Sequence, residues 1–232
     1  FVREDWSMKR LIKQITLSST YQMASTPDEQ GDARDPENLL LHRARIRRLE
    51  GEVIRDSILA ISGRLDPITF GPSVPVQVTS FMQGRGRPKD SGPIDGDGRR
   101  SLYVEVRRNF LSPMMLAFDT PIPFNAVGQR NASNVPAQAL ILMNDPFVVE
   151  QAKLWAKSVV EQESTSEARI HAMYLAAFSR PPSEEEIAEG EAFLQEQGKA
   201  LGLAAERILD DERVWSDLCH VLLNVKEFVY LR

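Results

Sequence analysis

Apolar residues recur along this chain with the period of an α-helix, and they predict a fold made mainly of amphipathic helices. The first stripe has the spacing i, i+3, i+4, i+7 and consists of Met8, Leu11, Ile12 and Ile15. Asp5 or Ser7, which both precede this stripe, can cap the helix. Further helices are predicted from Pro136, from Pro146, over 170–178, from Ser183 and over 215–229.

The longest helix is predicted between Asp35 and Gly63. Asp35 is a capping residue, Pro36 suits the first helical position, and Gly63 is a common helix stop. Apolar stripes that include Leu39 and Ile46 run between these signals. Together they predict a helix of about 27 residues, roughly 40 Å long.

Residues 63–100 interrupt the helical pattern. They contain seven Gly and five Pro in 38 positions, which predicts a long loop, and its part at about 80–100 is expected to be mobile. Valines alternate with other residues over 74–78, as apolar residues do over 102–106, so these segments are predicted to pair. The expected fold is therefore mainly α: a single multi-helix domain over 1–232 with a long Gly/Pro-rich loop and a small two-stranded β-ribbon.

The composition of the chain argues against disorder, nucleic-acid binding and a membrane-spanning segment. Hydrophobic residues at 42% and charged residues at 26% indicate a folded globular chain. A net charge of −5 argues against nucleic acid as the main partner. No apolar run is long enough to predict a membrane span. Because the chain begins at Phe1 without an initiator Met or a signal peptide, we expect an N-terminally truncated part of a larger protein.

Signatures of catalysis and of cofactor binding are sparse. The sequence contains no H-E-x-x-H, no phosphate-binding loop, no G-x-S-x-G and only one cysteine, Cys219. Covalent haem attachment is excluded in S-D-L-C-H because Ser216 stands where a second cysteine is needed. D-G-D-G at 95–98 fails the calcium-loop pattern, since Pro93 and Val104 occupy ligand positions. We therefore expect neither a cofactor nor a metal.

Polar side chains crowd into the irregular stretch 107–147, where a ligand site is expected if the chain has one. The candidate residues are Arg107, Arg108, Asn109, Asp119, Arg130, Asn131, Asn144 and Asp145. The same side chains can instead satisfy backbone groups of a Pro-rich segment and cap the helices that follow. We favour this structural role for Arg130 and Asp145.

A second candidate set lies on the polar side of the last predicted helix. It consists of Asp217, His220 and Glu227. A carboxylate beside an imidazole can perform acid–base chemistry. A solvated helix face produces the same pattern, and we favour that interpretation.

An ordered set of motifs covers nearly the whole chain. It includes W-S-M-K-R-L-I at 6–12, D-P-E-N-L-L at 35–40, S-G-R-L-D-P at 62–67, Y-V-E-V-R-R-N-F at 103–110, Q-R-N-A-S-N-V-P-A-Q-A-L at 129–140 and L-C-H-V-L-L-N-V-K-E-F at 218–228. The set resembles the planctomycete-specific domain of unknown function that forms the C-terminal end of planctomycete cytochrome-c-domain proteins. The resemblance implies a large exported bacterial protein, located in the periplasm or cell envelope, whose cytochrome-c-like domain is a partner of this chain. No catalytic residue is established for that family, so none is carried over.

Two functional hypotheses follow. The leading hypothesis is a structural or interaction module of an exported, cytochrome-c-linked protein, with no assignable activity. The alternative is an enzyme or glycan-binding domain with its site among the loops of 107–147. A concave pocket with convergent polar groups in that stretch would favour the alternative.

Overall fold

A computed structural model describes residues 1–124 and 126–231, and these are mainly helical with one small two-stranded sheet, which confirms the predicted fold class. The helices and strands are α1 Met8–Thr16, α2 Glu29–Arg34, β1 Arg47–Arg48, α3 Gly51–Ile61, α4 Pro113–Ala117, α5 Pro136–Asn144, α6 Pro146–Gln162, α7 Ser166–Phe178, α8 Glu184–Ala200, α9 Glu212–Asn224, α10 Lys226–Val229 and β2 Tyr230–Leu231. Short 3-10 helices lie at Val2–Glu4, Gly96–Gly98, Ser101–Tyr103 and Ala205–Asp210.

The chain forms two compact units. The first comprises residues 1–48 together with the C-terminal residues from 230 onward, and the second comprises 49–229. Within the first unit, β1 and β2 pair antiparallel, with Arg47 opposite Leu231. Ser7 caps α1 by accepting a hydrogen bond from the backbone N–H of Arg10, as its position in the sequence predicts. All nine residues of α1 are described, and none is buried.

The core of the second unit is formed around α6 and α9, which pack side by side. Trp155 of α6 and Trp215 of α9 are almost fully buried, and the Trp215 indole donates a hydrogen bond to the Leu209 carbonyl oxygen at 2.9 Å. α8 begins with the predicted capping box between Ser183 and Glu186. The apolar stripes of these helices therefore face one common core, as their spacing predicts.

The predicted long helix from Asp35 to Gly63 is wrong, because only 51–61 is helical. The Asp35 carboxylate accepts hydrogen bonds from two backbone N–H groups, at 39 and 40, and thereby holds a turn. Asn38 and Leu41 adopt left-handed backbone angles, with φ of 54° and 57°. The Asn38 side chain also donates to the Arg43 carbonyl oxygen at 2.8 Å. These local bonds satisfy backbone groups that a helix would otherwise use.

The predicted ribbon between 74–78 and 102–106 is also wrong in its position. The two segments meet only at a single parallel bridge between Val74 and Val104. Residues 101–103 fold into a 3-10 turn, and Pro75 has no N–H with which to continue the ladder. The alternation of valines nevertheless marks one buried side of this segment, because Val74, Val76 and Val78 are all buried.

Segment 63–100 is irregular but attached to the second unit at several points. Arg55 of α3 donates to the Asp95 carbonyl oxygen at 2.7 Å, and the backbone N–H of Val74 donates to the Tyr103 carbonyl oxygen at 2.8 Å. Arg87, by contrast, bonds only the nearby carbonyl oxygens of Thr79 and Met82. Mobility over 80–100 stays a prediction, and it is expected to be greatest around Arg87.

Candidate functional site

A cavity of about 330 Å³ opens in the second unit beside the N-terminal half of α3. Its walls come from α3, from the extended pieces near 75–77 and 93–96, and from 101–121. Most lining side chains are apolar, among them Val76, Phe110 and Met115. Phe110 and Val76 are buried and belong to one small apolar cluster, so part of the cavity wall consists of packed apolar side chains. The stretch 107–147 thus contributes a concave pocket, but mainly through its apolar residues.

Arg130 lies at the rim of this cavity and is held by α3. Its guanidinium donates to both carboxylate oxygens of Glu52, at 2.9 and 3.0 Å, and to Glu50 at 3.1 Å. Glu50 is the residue before α3 and Glu52 lies in its first turn. The hydrogen bonds that Arg130 donates to Glu52, and the charges of both glutamates, raise the pKa of Arg130. The positive charge of Arg130 is therefore balanced by two glutamates of the same chain.

Asp119 organises the turn after α4. It has a left-handed backbone, with φ of 61°, and its carboxylate accepts from the Ser133 N–H at 2.7 Å and from the Ser133 hydroxyl at 2.9 Å. Gln138 adds a second tie by donating to the carbonyl oxygens of Ala117 and Ser133. The Thr120 hydroxyl next to Asp119 is buried and has no hydrogen-bond partner among the described residues.

The other candidates of 107–147 lie apart from one another. A second, shallow cavity of about 300 Å³ brings Asn131 together with Asp119 and Arg130, whereas the rest point elsewhere. Arg107 pairs with Glu105 at 3.0 Å, Asn109 donates weakly to the Arg85 carbonyl oxygen, Asn144 donates to the Leu140 carbonyl oxygen, and Arg108 is exposed. Asn125, a further polar residue of the stretch 107–147, lies outside the described residues. No single constellation of polar groups is formed by the described part of the set.

Asp145 caps α6 as the sequence predicts. Its carboxylate accepts from the backbone N–H of Phe147 at 2.9 Å. Burial raises the pKa of Asp145, and the hydrogen bond from Phe147 opposes that shift. The capping role is therefore present in the structure.

The second candidate set is also dispersed. The His220 ring nitrogen Nε2 meets the Leu142 carbonyl oxygen at 2.9 Å. Glu227 instead accepts two hydrogen bonds from Arg180, both at 2.8 Å. Burial raises the pKa of Asp217, and the charge of His220 partly opposes this. All three residues are half-buried, and the hydrogen bonds of His220 and Glu227 lead to α5 and to Arg180 rather than along their own helix.

The comparisons with known proteins add one finding. Residues 1–194 match the family described as PSD1, a protein of unknown function (DUF1553). The chain belongs to this family. No curated protein and no solved structure matches it. The PSD1 match supports the resemblance to a domain of unknown function.

One of the two most buried charged residues in the described part of this PSD1 chain was not among the predicted site residues. Arg55 of α3 is 7% exposed and lines the 330 Å³ cavity. Its Nη1 donates to the Arg99 carbonyl oxygen and to the Ser101 hydroxyl, and its Nη2 donates to the Asp95 carbonyl oxygen. Burial lowers the pKa of Arg55, against the opposing charges of Asp56 and Asp95.

A signal for Arg55 was present in the sequence. On a helical projection it lies between Ile58 and Leu59, inside the apolar arc of α3. A lone charged residue within the apolar side of a helix indicates a buried side chain that needs hydrogen-bond partners. The burial of Arg55 could therefore have been predicted from the sequence.

Residues 1–124 and 126–231 form neither a metal-binding cluster nor a membrane-spanning helix. No group of three or more His, Cys, Asp or Glu residues in that part of the chain is arranged to hold a metal ion. Among the same residues, no helix has the length and apolar character that crossing a bilayer requires.

Proposed function

We propose that this PSD1 domain is a structural or interaction module of a larger exported, cytochrome-c-linked protein, and that α1 docks on another domain of that protein. The observation that carries the proposal is the apolar face of α1. Met8, Ile12 and Ile15 share one side of the helix and are 60%, 56% and 48% exposed. Contiguous exposed apolar surface is characteristic of an interaction site.

The length of α1 supports the same conclusion. A helix of nine residues is marginal in water by itself, since isolated helices need about 12–15 residues even in favourable sequences. Helices in folded proteins gain most of their stability by burying an apolar face. Because α1 buries none of its residues, a docking partner is the missing source of that stability.

Charge orients the proposed contact. Lys9 flanks the apolar face of α1, Arg10 and Lys13 lie on the opposite side, and the helix contains no acidic residue. Arg10 pairs with Glu4 at the helix start. The partner surface is therefore apolar at its centre, with acidic groups at its margin. The ordered motifs resemble a domain that follows a cytochrome-c-like domain, so we take that domain as the partner.

The enzyme or glycan-binding alternative has less support. In the stretch 107–147, Arg130 is paired with Glu52, and Asp119 and Asp145 hold backbone groups. The cavity beside them is walled mainly by apolar residues, whereas a sugar site needs several free polar groups. This pattern is expected of a fold-supporting segment.

The test is calorimetric titration of the chain with the separately produced cytochrome-c-like domain of the parent protein. We expect saturable binding that Ile12→Asp weakens by at least about tenfold, because it places a charge on the buried face. Lys13→Asp on the opposite face is the matched control and should weaken binding less. Absence of binding, or equal effects of the two substitutions, would contradict the proposal.

A further inference from the structure

The 330 Å³ cavity beside α3 contains an arginine, Arg55, that does not use all of its hydrogen-bond donors. A guanidinium carries five N–H hydrogens, and Arg55 directs three of them to acceptors: the Arg99 carbonyl oxygen at 3.0 Å, the Ser101 hydroxyl at 3.1 Å and the Asp95 carbonyl oxygen at 2.7 Å. The hydrogen on Nε and the second one on Nη2 have no acceptor among the described residues. A guanidinium with two N–H hydrogens left over can still donate to a bound carboxylate.

The backbone around Arg55 leaves room for this side chain at the cavity wall. Gly96 lines the cavity and has a left-handed backbone, with φ of 59°. A Cβ at position 96 would lie 2.5 Å from the Arg55 Nη2 and 3.4 Å from a methyl group of Val104. Glycine at this position therefore lets the guanidinium lie next to the apolar wall.

The charge of Arg55 is weakly compensated. The Asp56 carboxylate lies 3.6 Å from Nη1, but it also accepts from the Ser101 N–H at 2.7 Å and pairs with Arg100 at 3.3 Å. The Asp95 carboxylate is engaged by Arg64 at 2.6 Å. A further anion beside Arg55 would therefore be stabilised.

Two other carboxylates line the cavity, and each already has a cationic partner. Glu52 is held by Arg130 at the rim. Glu105 pairs with Arg107 at 3.0 Å. Neither leaves an uncompensated negative charge that would repel an anionic ligand.

We propose that this cavity binds a small monocarboxylic acid, with the carboxylate at Arg55 and an apolar body against Val76, Phe110 and Met115. Arg–carboxylate pairing can form two parallel hydrogen bonds, which suits the donors that remain on one guanidinium. The apolar walls provide the rest of the binding energy. This site lies in the second unit and does not depend on the docking of α1.

The volume limits the size of the acid. A cavity of about 150 Å³ accommodates benzene. The present cavity of about 330 Å³ therefore suits a body of roughly two fused rings, and it lies at the lower end of the range for ligand pockets. A naphthalene ring with one carboxylate has the required size and chemistry.

The test uses 2-naphthoate and its neutral isostere 2-naphthamide as probes, titrated into the full chain at neutral pH and followed by calorimetry. We expect naphthoate to bind about tenfold to a hundredfold more tightly than the amide, which is the usual effect of a hydrogen bond to a charged group. Equal affinities would overturn the assignment of a carboxylate, and binding of neither probe would overturn the site itself.

Two variants locate the binding. Leu116→Trp projects a large ring into the cavity from a residue that is 43% exposed, so the fold should tolerate it, and naphthoate binding should be lost. Leu140→Trp, on a residue 58% exposed that does not line the cavity, is the matched control and should bind normally. Arg55→Lys, with folding checked by circular dichroism, should remove the preference for acid over amide. Unchanged naphthoate binding in Leu116→Trp would place the ligand elsewhere and refute the proposal.

Discussion

Replacement of Arg169 by methionine should destabilise the second unit strongly. Arg169 is 7% exposed and donates to three carbonyl oxygens: Glu163 at 2.8 Å, Leu209 at 2.6 Å and Val160 at 3.3 Å. Its guanidinium also lies over the Trp215 ring, 5.0 Å from the centroid. It thereby joins the end of α6 to the 3-10 helix at Ala205–Asp210.

The magnitude follows from which carbonyls lose their partner. The Leu209 oxygen keeps the hydrogen bond from the Trp215 indole, so it stays satisfied. The oxygens of Val160 and Glu163 are at the C-terminal end of α6, where backbone acceptors have no helical donor. Methionine keeps the apolar packing but leaves both unpaired, which costs about 3–5 kcal/mol in the free energy of unfolding. For a unit of this size, that corresponds to roughly 6–20 °C in Tm.

Urea unfolding followed by far-ultraviolet circular dichroism measures this change. Arg213→Met is the matched control, since Arg213 is 62% exposed and bonds only the neighbouring Asp211. The control should change the free energy of unfolding by less than about 1 kcal/mol. The reasoning is refuted if Arg169→Met unfolds at the same urea concentration as the unsubstituted chain, or if the two variants lose equal stability.

Three further predictions concern separate features. Asp145→Ala should lower the free energy of unfolding by about 0.5–2 kcal/mol in the same assay, because it removes the cap of α6; no change would show that the cap is not stabilising. Hydrogen bonds from Arg180 lower the pKa of Glu186 to about 2 from 4.5, so its stabilisation is complete above about pH 4.5 and is lost as the pH falls toward 2. Glu186→Gln should therefore flatten the dependence of Tm on pH in that window, and an unchanged slope would contradict the assignment. Trypsin should cut first at 85–89, where the bonds are local, and mass spectrometry showing earlier cleavage inside α6 would disprove this.

Periodic apolar spacing predicted the helices well wherever the helix buries one face. The helices begun by Pro136 and Pro146, and the capping box at Ser183, lie where the pattern places them. Local signals and tertiary packing agree in these segments. The same agreement explains why Trp155 is found in the core.

The prediction failed where side chains bond the backbone in a way that spacing does not reveal. Asp35 reads equally well as a helix cap and as the holder of a turn, and only the left-handed backbone of Asn38 decides between them. For α1, the pattern correctly predicts a helix but cannot say what covers its apolar face. The network of Arg55 was not predicted because its carbonyl acceptors lie 40 and 44 positions away along the chain.

Hydrogen exchange of the α1 backbone amides tests the central claim that α1 docks on a cytochrome-c-like domain. The amides from Ile12 to Thr16 would be followed by mass spectrometry in this chain alone and in the parent protein that includes that domain. We expect these amides to exchange fast in the isolated chain, where α1 is short and unburied. In the parent protein we expect their exchange to be slower by at least about tenfold. Equal exchange rates in both would show that α1 has no docking partner there and would contradict the account.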